Sequence, residues 1–281
     1  MKQRDMKDDL PKRLGNGGIA EAWLVQDQET ARLAVSKRLI CDEHFRPAIR
    51  LASQRAHALL QPLIPYRPKI QIPYEPFWGD EAIYEYIPGT PLNETVPQGL
   101  ALEEKLYLVK RRLIQAVDAI SELAGKGLVH CDIRPENMIL TPDNEVFLID
   151  PDFTLEAGDY RRKQFHGPVW FTAPEVLRGS PRSTSDLFSA GVSAWTLLGA
   201  NLSILPSPVA LSEERMEEGF HGAASKESLK KIRPVLEGED PEFVRLLDGL
   251  TDPNPAHRPI LSDCIASLRE HVDESAYSLP M

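Results

Sequence analysis

Two short stretches hold the residues best suited to chemistry. Residues 128–137 read Leu-Val-His-Cys-Asp-Ile-Arg-Pro-Glu-Asn, and residues 146–150 read Val-Phe-Leu-Ile-Asp. Together they offer two carboxylates, Asp132 and Asp150, and one amide, Asn137. If two loops bring them together at the floor of a cleft, the set suits phosphoryl transfer. One carboxylate then orients or deprotonates an attacking hydroxyl, while the amide and the other carboxylate hold Mg²⁺ against phosphates. The plainer reading makes Asp132 and Asn137 turn residues beside Pro135.

The elements that must carry these loops fall into two kinds. Residues 13–40 read as short strands. Residues 21–25 and 32–37 are strand-length and partly alternating, with polar residues 26–29 as the turn between them. Residues 42–60 read as helical, and 69–73 and 82–87 as further strands. From Ala101 the period changes. Leu106, Val109, Leu113, Val117, Ile120 and Ala124 recur at steps of three and four, a helix that ends near Gly125 and Gly127. Helices follow at 186–199, 241–250 and 260–272. A strand-rich part of roughly 90 residues therefore precedes a helix-rich part, an α+β layout in two lobes. Residues 87–91, Ile-Pro-Gly-Thr-Pro, are the natural hinge, since Pro and Gly interrupt both strand and helix.

Composition narrows the classes. The 281 residues carry 32 Lys and Arg against 42 Asp and Glu, a formal charge of −10. That balance argues against a dedicated nucleic-acid binder, which needs clustered cations against phosphate. Cys41, Cys131 and Cys264 are too few and scattered for a disulfide framework, so a reducing compartment is expected. The charged N-terminus holds no apolar run, and the expectation is a cytoplasmic protein. Residues 187–212 hold no charge and are long enough to span a bilayer. They also hold Ser189, Ser193, Thr196, Asn201, Pro206 and Pro208, which favours a buried helix followed by a loop, with no membrane span. The 24 prolines imply many fixed turns.

The two motifs resemble the catalytic loop and the metal-binding loop of the eukaryotic-like protein kinase family, in its bacterial Ser/Thr form. The resemblance covers about residues 13–272. It implies an N-lobe of about 13–87 and a C-lobe of about 91–272, with short tails at 1–12 and 273–281. Residues 14–20, Leu-Gly-Asn-Gly-Gly-Ile-Ala, look like the phosphate-covering glycine loop, where Gly15, Gly17, Gly18 and Ala20 would meet ATP. Glycines let backbone N–H groups approach phosphate oxygens. In residues 34–37, Ala-Val-Ser-Lys, the resemblance makes Val35 a nucleotide contact and Lys37 the partner of the α- and β-phosphates. Residues 83–89 resemble the hinge that offers backbone hydrogen bonds to adenine, through Glu85 and Ile87. Asp132 would be the base, Arg134 a charge near the γ-phosphate, and Asn137 and Asp150 the ligands of Mg²⁺, with Mn²⁺ as a substitute. Structural roles fall to Glu175 of Ala173-Pro174-Glu175, to its ion-pair partner Arg258, and to Asp186, which would accept from the catalytic-loop backbone.

Five departures stand out. The metal motif reads Asp150-Pro151-Asp152, so a flexible Gly is lost and Pro151 fixes its own φ. The extra Asp152 is expected to point to solvent or cap a turn, with reach to the metal as the alternative. Cys131 replaces the Arg that clamps a phosphorylated loop, and residues 155–171 hold no Ser or Thr, so activation without loop phosphorylation is expected. Arg134 stands for the usual Lys. The helix Glu that should hold Lys37 is missing, because residues 44–74 contain no Asp or Glu. Gln54 or His57 could bond Lys37 without neutralising it; either Asp150 holds Lys37 or catalysis is weakened. Last, Pro168 stands where the family places a substrate-site Thr.

These features imply an ATP- and Mg²⁺-dependent protein kinase acting on protein hydroxyls, of Ser/Thr type. One alternative is a pseudokinase that serves as a nucleotide-binding or interaction scaffold. The other is a small-molecule phosphotransferase of the wider superfamily. The expected partner is a protein substrate or a regulatory protein.

Overall fold

The computed structural model describes residues 10–26, 31–97, 99–159, 170–200, 226–270 and 272. Two compact units are present. One comprises the chain up to Pro88 together with Ile149–Thr154; the other comprises Gly89–Leu148 and the chain from Leu155 onward.

The first unit is built on a five-stranded antiparallel sheet in the order β1-β2-β3-β5-β4. Its strands are β1 (Lys12–Asn16), β2 (Ala20–Gln26), β3 (Leu33–Leu39), β4 (Pro73–Glu75) and β5 (Glu81–Glu85). Between β3 and β4 lies helix α1, Arg46–Leu60. Its buried residues are Ile49, Ser53, Ala56 and Leu60, one stripe at steps of three and four. Ile49 joins Val35, Leu39, Phe77, Ala82 and Tyr84 in the core under the sheet. The basic character of α1 has a local answer. Arg46 and Arg50 both bond the carboxylate of Asp80, at 2.7 and 2.6 Å. The strand expected at 69–73 is corrected to an isolated bridge at Ile70 and a regular strand that begins only at Pro73. Pro68 and Pro73 bracket that run, and neither has an N–H to give to a ladder.

The second unit is mostly helical. Helix α2, Leu102–Ala124, buries Leu106, Val109, Leu113, Val117 and Ile120, the positions its period selects. It packs against α4, Ser185–Leu198, which is buried nearly all round. That burial accounts for the first part of the uncharged stretch; residues 201–212 lie outside the described residues. Three more helices follow: α5 (Lys226–Glu239), α6 (Pro241–Leu250) and α7 (Leu261–Glu270). The short α3 (Pro174–Leu177) precedes α4. Small strands hold the loops: β6 (Thr90–Pro91), β8 (Met138–Leu140) and β9 (Val146–Leu148) pair in one sheet, and β7 (Leu128–Val129) pairs with β10 (Leu155–Glu156). Among the described residues no helix is long and apolar enough to cross a membrane.

Candidate active site

In the first unit, β1 and β2 form a hairpin with Gly15 in β1 and Gly17 and Gly18 in the turn. Gly17 N–H donates to the Ala20 carbonyl at 3.0 Å. A Cβ added at Gly15 or Gly18 would meet no protein atom within 4 Å, so the surrounding chain does not demand glycine there. Ala20 packs on the core cluster, and Val35 is itself part of it. One residue pair further along β3 from Val35, Lys37 lies opposite Ala82 of β5, and its side chain is buried.

The environment of Lys37 decides much. Its Nζ donates to Asp150 Oδ1 at 2.5 Å and to Asp152 Oδ2 at 3.3 Å. It also stands 4.6 Å from the centre of the Tyr84 ring, on the face where a cation is attracted. Of the partners left open for Lys37, Asp150 is present and Gln54 and His57 are engaged elsewhere. Gln54 donates to the Phe77 carbonyl at 2.9 Å, and His57 lies beside Gln61. The expectation for Asp152 is corrected: it is neither solvent-facing nor a cap. It is 6% exposed, and its Oδ1 accepts from the Tyr84 hydroxyl. The backbone explains the inward turn. Asp150 has φ 63° and ψ 56°, and Pro151 then starts a tight 3₁₀ turn over Pro151–Phe153. The turn packs against α1.

Electrostatics follow from this burial. Desolvation alone would lower the pKa of Lys37, but Asp150 and Asp152 outweigh it and leave the amine above its ordinary value. Burial, with help from Asp150, raises the Asp152 carboxyl, and Lys37 draws it back in part. The Tyr84 phenol is held well above its ordinary range by burial and by Asp152, so it stays a donor.

Gln71 is a second residue that sequence reasoning missed. It is buried, and its amide bridges two backbone groups. Its Nε2 donates to the Glu85 carbonyl at 2.7 Å, and its Oε1 accepts from the Asp150 N–H at 3.2 Å. Glu85 N–H in turn donates to the Ile72 carbonyl at 3.0 Å, and Ile87 lies half-buried just beyond β5. A polar side chain within the run Ile70-Gln71-Ile72 was the available signal, because a buried amide must find partners.

In the second unit, the catalytic-loop candidates are tied together closely. Asn137 Nδ2 donates to Asp132 Oδ2 at 2.7 Å and to the Asp132 carbonyl at 3.0 Å. The Asp132 N–H donates to His130 Nδ1 at 3.3 Å. Pro135–Asn137 form a 3₁₀ turn that places the amide. Asp186, at the start of α4, accepts from the N–H of His130 at 2.6 Å and of Cys131 at 3.0 Å. Its carboxyl is pushed up to about 6, by burial first, with the two N–H donors opposing. Cys131 takes φ 67° and is 3% exposed. Arg134 bonds Glu136 Oε2 at 2.8 Å and stands over the ring of Phe171 at 5.8 Å.

The ion pair anticipated from the sequence is present. Arg258 meets Glu175 through two parallel bonds of 2.6 and 2.9 Å, with the arginine side chain 0% exposed. Tyr160, the basic run 161–163 and Pro168 lie outside the described residues.

Asp150 in the first unit and Asn137 in the second each carry an oxygen of the hard kind that Mg²⁺ takes. Known proteins bear on the same residues. A family model described as "Protein kinase domain" matches residues 9–268. CBL-interacting serine/threonine-protein kinase 18 of Arabidopsis thaliana is 27% identical over 263 residues, 90% of this chain and 47% of that protein. A probable serine/threonine-protein kinase of Streptomyces coelicolor is 27% identical over 224 residues, 73% of this chain and 32% of its own length. Aurora kinase C of Mus musculus is 26% identical over 232 residues, 81% of this chain and 76% of that protein. The chain spans less than half of the first two relatives. A match over nearly the whole chain, on a five-stranded antiparallel sheet followed by a helical region, places this protein in the protein kinase domain family.

Proposed function

We propose that the chain is an active ATP- and Mg²⁺-dependent protein kinase that transfers the γ-phosphate to protein hydroxyls, of Ser/Thr type. The observation that carries this reading is the buried ion pairing of Lys37. A pseudokinase reading gains its force from the missing helix Glu, and Lys37 nevertheless has two acidic partners within hydrogen-bond reach. The Ser/Thr assignment is supported by relatives named as serine/threonine kinases and by the Pro135-Glu136-Asn137 sequence.

In this reading Lys37 and Arg134 neutralise phosphate charge, and the N–H groups of residues 15–20 cover the phosphates. Glu85 and Ile87 offer backbone groups to the base, and Val35 and Ala20 offer apolar contact. Asn137 and Asp150 would offer oxygen donors to Mg²⁺, which would supply charge neutralisation for the transferred phosphoryl group. Asp132 accepts the proton of the attacking hydroxyl. Its bond to Asn137 fixes the carboxylate rotamer, so the base is pre-aimed. Asp186 supports that loop through two backbone N–H groups, a stiffening remote from the reacting atoms.

The test incubates the protein with Mg²⁺ and γ-labelled ATP, alone and with generic protein substrates. Asp132→Asn is the control and should lose about 10²–10⁴-fold in transfer, the usual contribution of a positioned base. Retained ATP binding with no transfer from the wild-type protein would establish the scaffold reading instead. Transfer to sugars or amines only would favour a small-molecule phosphotransferase.

A further inference from the structure

The inward stripe of α1 offers a single polar side chain, Ser53, among Ile49, Ala56 and Leu60. That hydroxyl lies 3.5 Å from the Tyr84 hydroxyl and receives the Phe77 N–H at 3.4 Å. A hydroxyl cannot balance a buried ammonium. The balancing charge comes from the Pro151–Phe153 turn, which packs on the same helix. Asp152 Oδ2 stands 3.3 Å from Lys37 Nζ, and its other oxygen is held by Tyr84. Lys37 therefore has two carboxylates, of which Asp150 is also the candidate metal ligand.

We propose that Asp152 is the positioning residue for Lys37, filling from the metal-motif turn the place that a helix carboxylate holds in the family, so that Asp150 can be given over to Mg²⁺ while Lys37 stays charged and aimed. The inference rests on the kinase reading and deepens it. The chemistry behind it is simple. One acid cannot neutralise a buried amine and ligate a divalent cation at full strength together. With Asp150 alone, metal binding would leave Lys37 buried without a counter-charge, and the two events would oppose each other. With Asp152 held by Tyr84 on one oxygen and facing Lys37 with the other, the amine keeps a partner in both states. Position 53 is where α1 approaches this cluster, so a longer acidic side chain there should be able to do the same work.

Affinity for trinitrophenyl-ATP, measured by fluorescence with Mg²⁺ and with EDTA, tests this directly. Asp152→Asn keeps the acceptor for Tyr84 and removes the charge. It should weaken binding about tenfold or more with Mg²⁺, about 1.4 kcal/mol. In EDTA, where Asp150 remains on Lys37, the loss should stay under about threefold. Ser53→Glu in the Asp152→Asn background should restore the Mg²⁺ value to within about threefold, and Ser53→Gln should not. Tyr84→Phe removes only the hydroxyl that holds Asp152, and serves if Asp152→Asn does not fold. It should give a smaller loss with the same Mg²⁺ dependence. A loss equal with and without Mg²⁺, no loss at all, or no recovery with Ser53→Glu would each overturn the proposal. Wild-type protein that binds no nucleotide would instead sink the kinase reading and take this inference with it.

Discussion

Removing Arg258 should be among the most damaging single changes in the helical unit. The residue is fully enclosed and serves several groups at once. Its guanidinium bonds both oxygens of Glu175, gives Nε to the Asp252 carbonyl at 2.8 Å, and gives Nη1 to the Thr184 carbonyl at 3.2 Å. It also lies 4.9 Å from the centre of the Phe188 ring. Arg258→Met keeps the apolar stem and deletes the charge. Among the described residues, Glu175 would then be left buried with only the Ser185 hydroxyl, now at 2.6 Å, for side-chain support. Breaking a buried pair in this way costs about 3–5 kcal/mol. In a unit of this size each kcal/mol is worth about 2–4 °C, so Tm should fall by roughly 6–20 °C.

The double variant Glu175→Gln/Arg258→Met carries the sharper information. It removes the stranded charge together with its partner, so it should be more stable than Arg258→Met alone, despite one further substitution. Urea unfolding followed by circular dichroism gives all corners of the cycle, and the coupling should exceed about 2 kcal/mol. Salt should change that coupling little, because the pair is enclosed, unlike the exposed Arg245–Glu242 pair at 3.4 Å. A cost below about 1 kcal/mol for Arg258→Met, or additivity in the double variant, would refute the reasoning.

Three further outcomes are expected. Gly191→Ala would place a Cβ 2.8 Å from Leu250 Cβ and 2.9 Å from Thr251 Cγ2, so α4 and α6 must part; a cost of about 1–3 kcal/mol should appear as a lower urea midpoint, and an unchanged midpoint would show the contact can yield. Asp186 holds its proton up to about 6 in the folded protein against an ordinary value of 3.8. The folded state thus binds the proton more tightly, so this group's contribution is largest below about pH 4 and falls as pH rises through 6, by roughly 3 kcal/mol at most. The unfolding free energy of wild type minus Asp186→Asn should decline between those pH values and be flat above; a flat difference throughout would contradict it. Gln71→Leu strips partners from the Glu85 carbonyl and the Asp150 N–H, and should cost about 1–3 kcal/mol with faster hydrogen exchange at the Asp150 amide.

What the sequence discloses depends on how local the cause is. The three- and four-residue period of α2 is written in consecutive turns, and the helix forms where that period runs. Helix α5 was not anticipated, because Pro234 and a high charge hide its stripe; packing against α6 settles it. The strand expected at 69–73 failed for a local reason, two prolines without donors. The partners of Lys37 were open because the choice is tertiary. Nothing in the spacing between residues 37 and 152 says that the second acid of the metal motif turns inward. The resemblance carried Glu175 to Arg258 across 83 positions, since both belong to recognisable segments. It could not carry Gln71, Tyr84 or Ser53, which act here through partners particular to this chain.

Two of the departures noted in the sequence are physically one change. Loss of the helix acid leaves a buried lysine that needs a counter-charge, and a Gly-containing metal motif could not supply it. Asp152 supplies it only if the chain after Asp150 turns back toward α1. Pro151 favours that turn because its fixed φ suits the first position of a 3₁₀ segment, and its missing N–H costs nothing there. Ser53 completes the exchange: it places a neutral hydroxyl, 3.5 Å from that of Tyr84, where α1 approaches the cluster. Together the changes keep charge balance around Lys37. On that argument Asp152→Gly by itself should not recreate a working family motif; it should do so only together with Ser53→Glu. A protein with Asp152→Gly alone that binds nucleotide as tightly as wild type in Mg²⁺ would show that the two changes are independent after all.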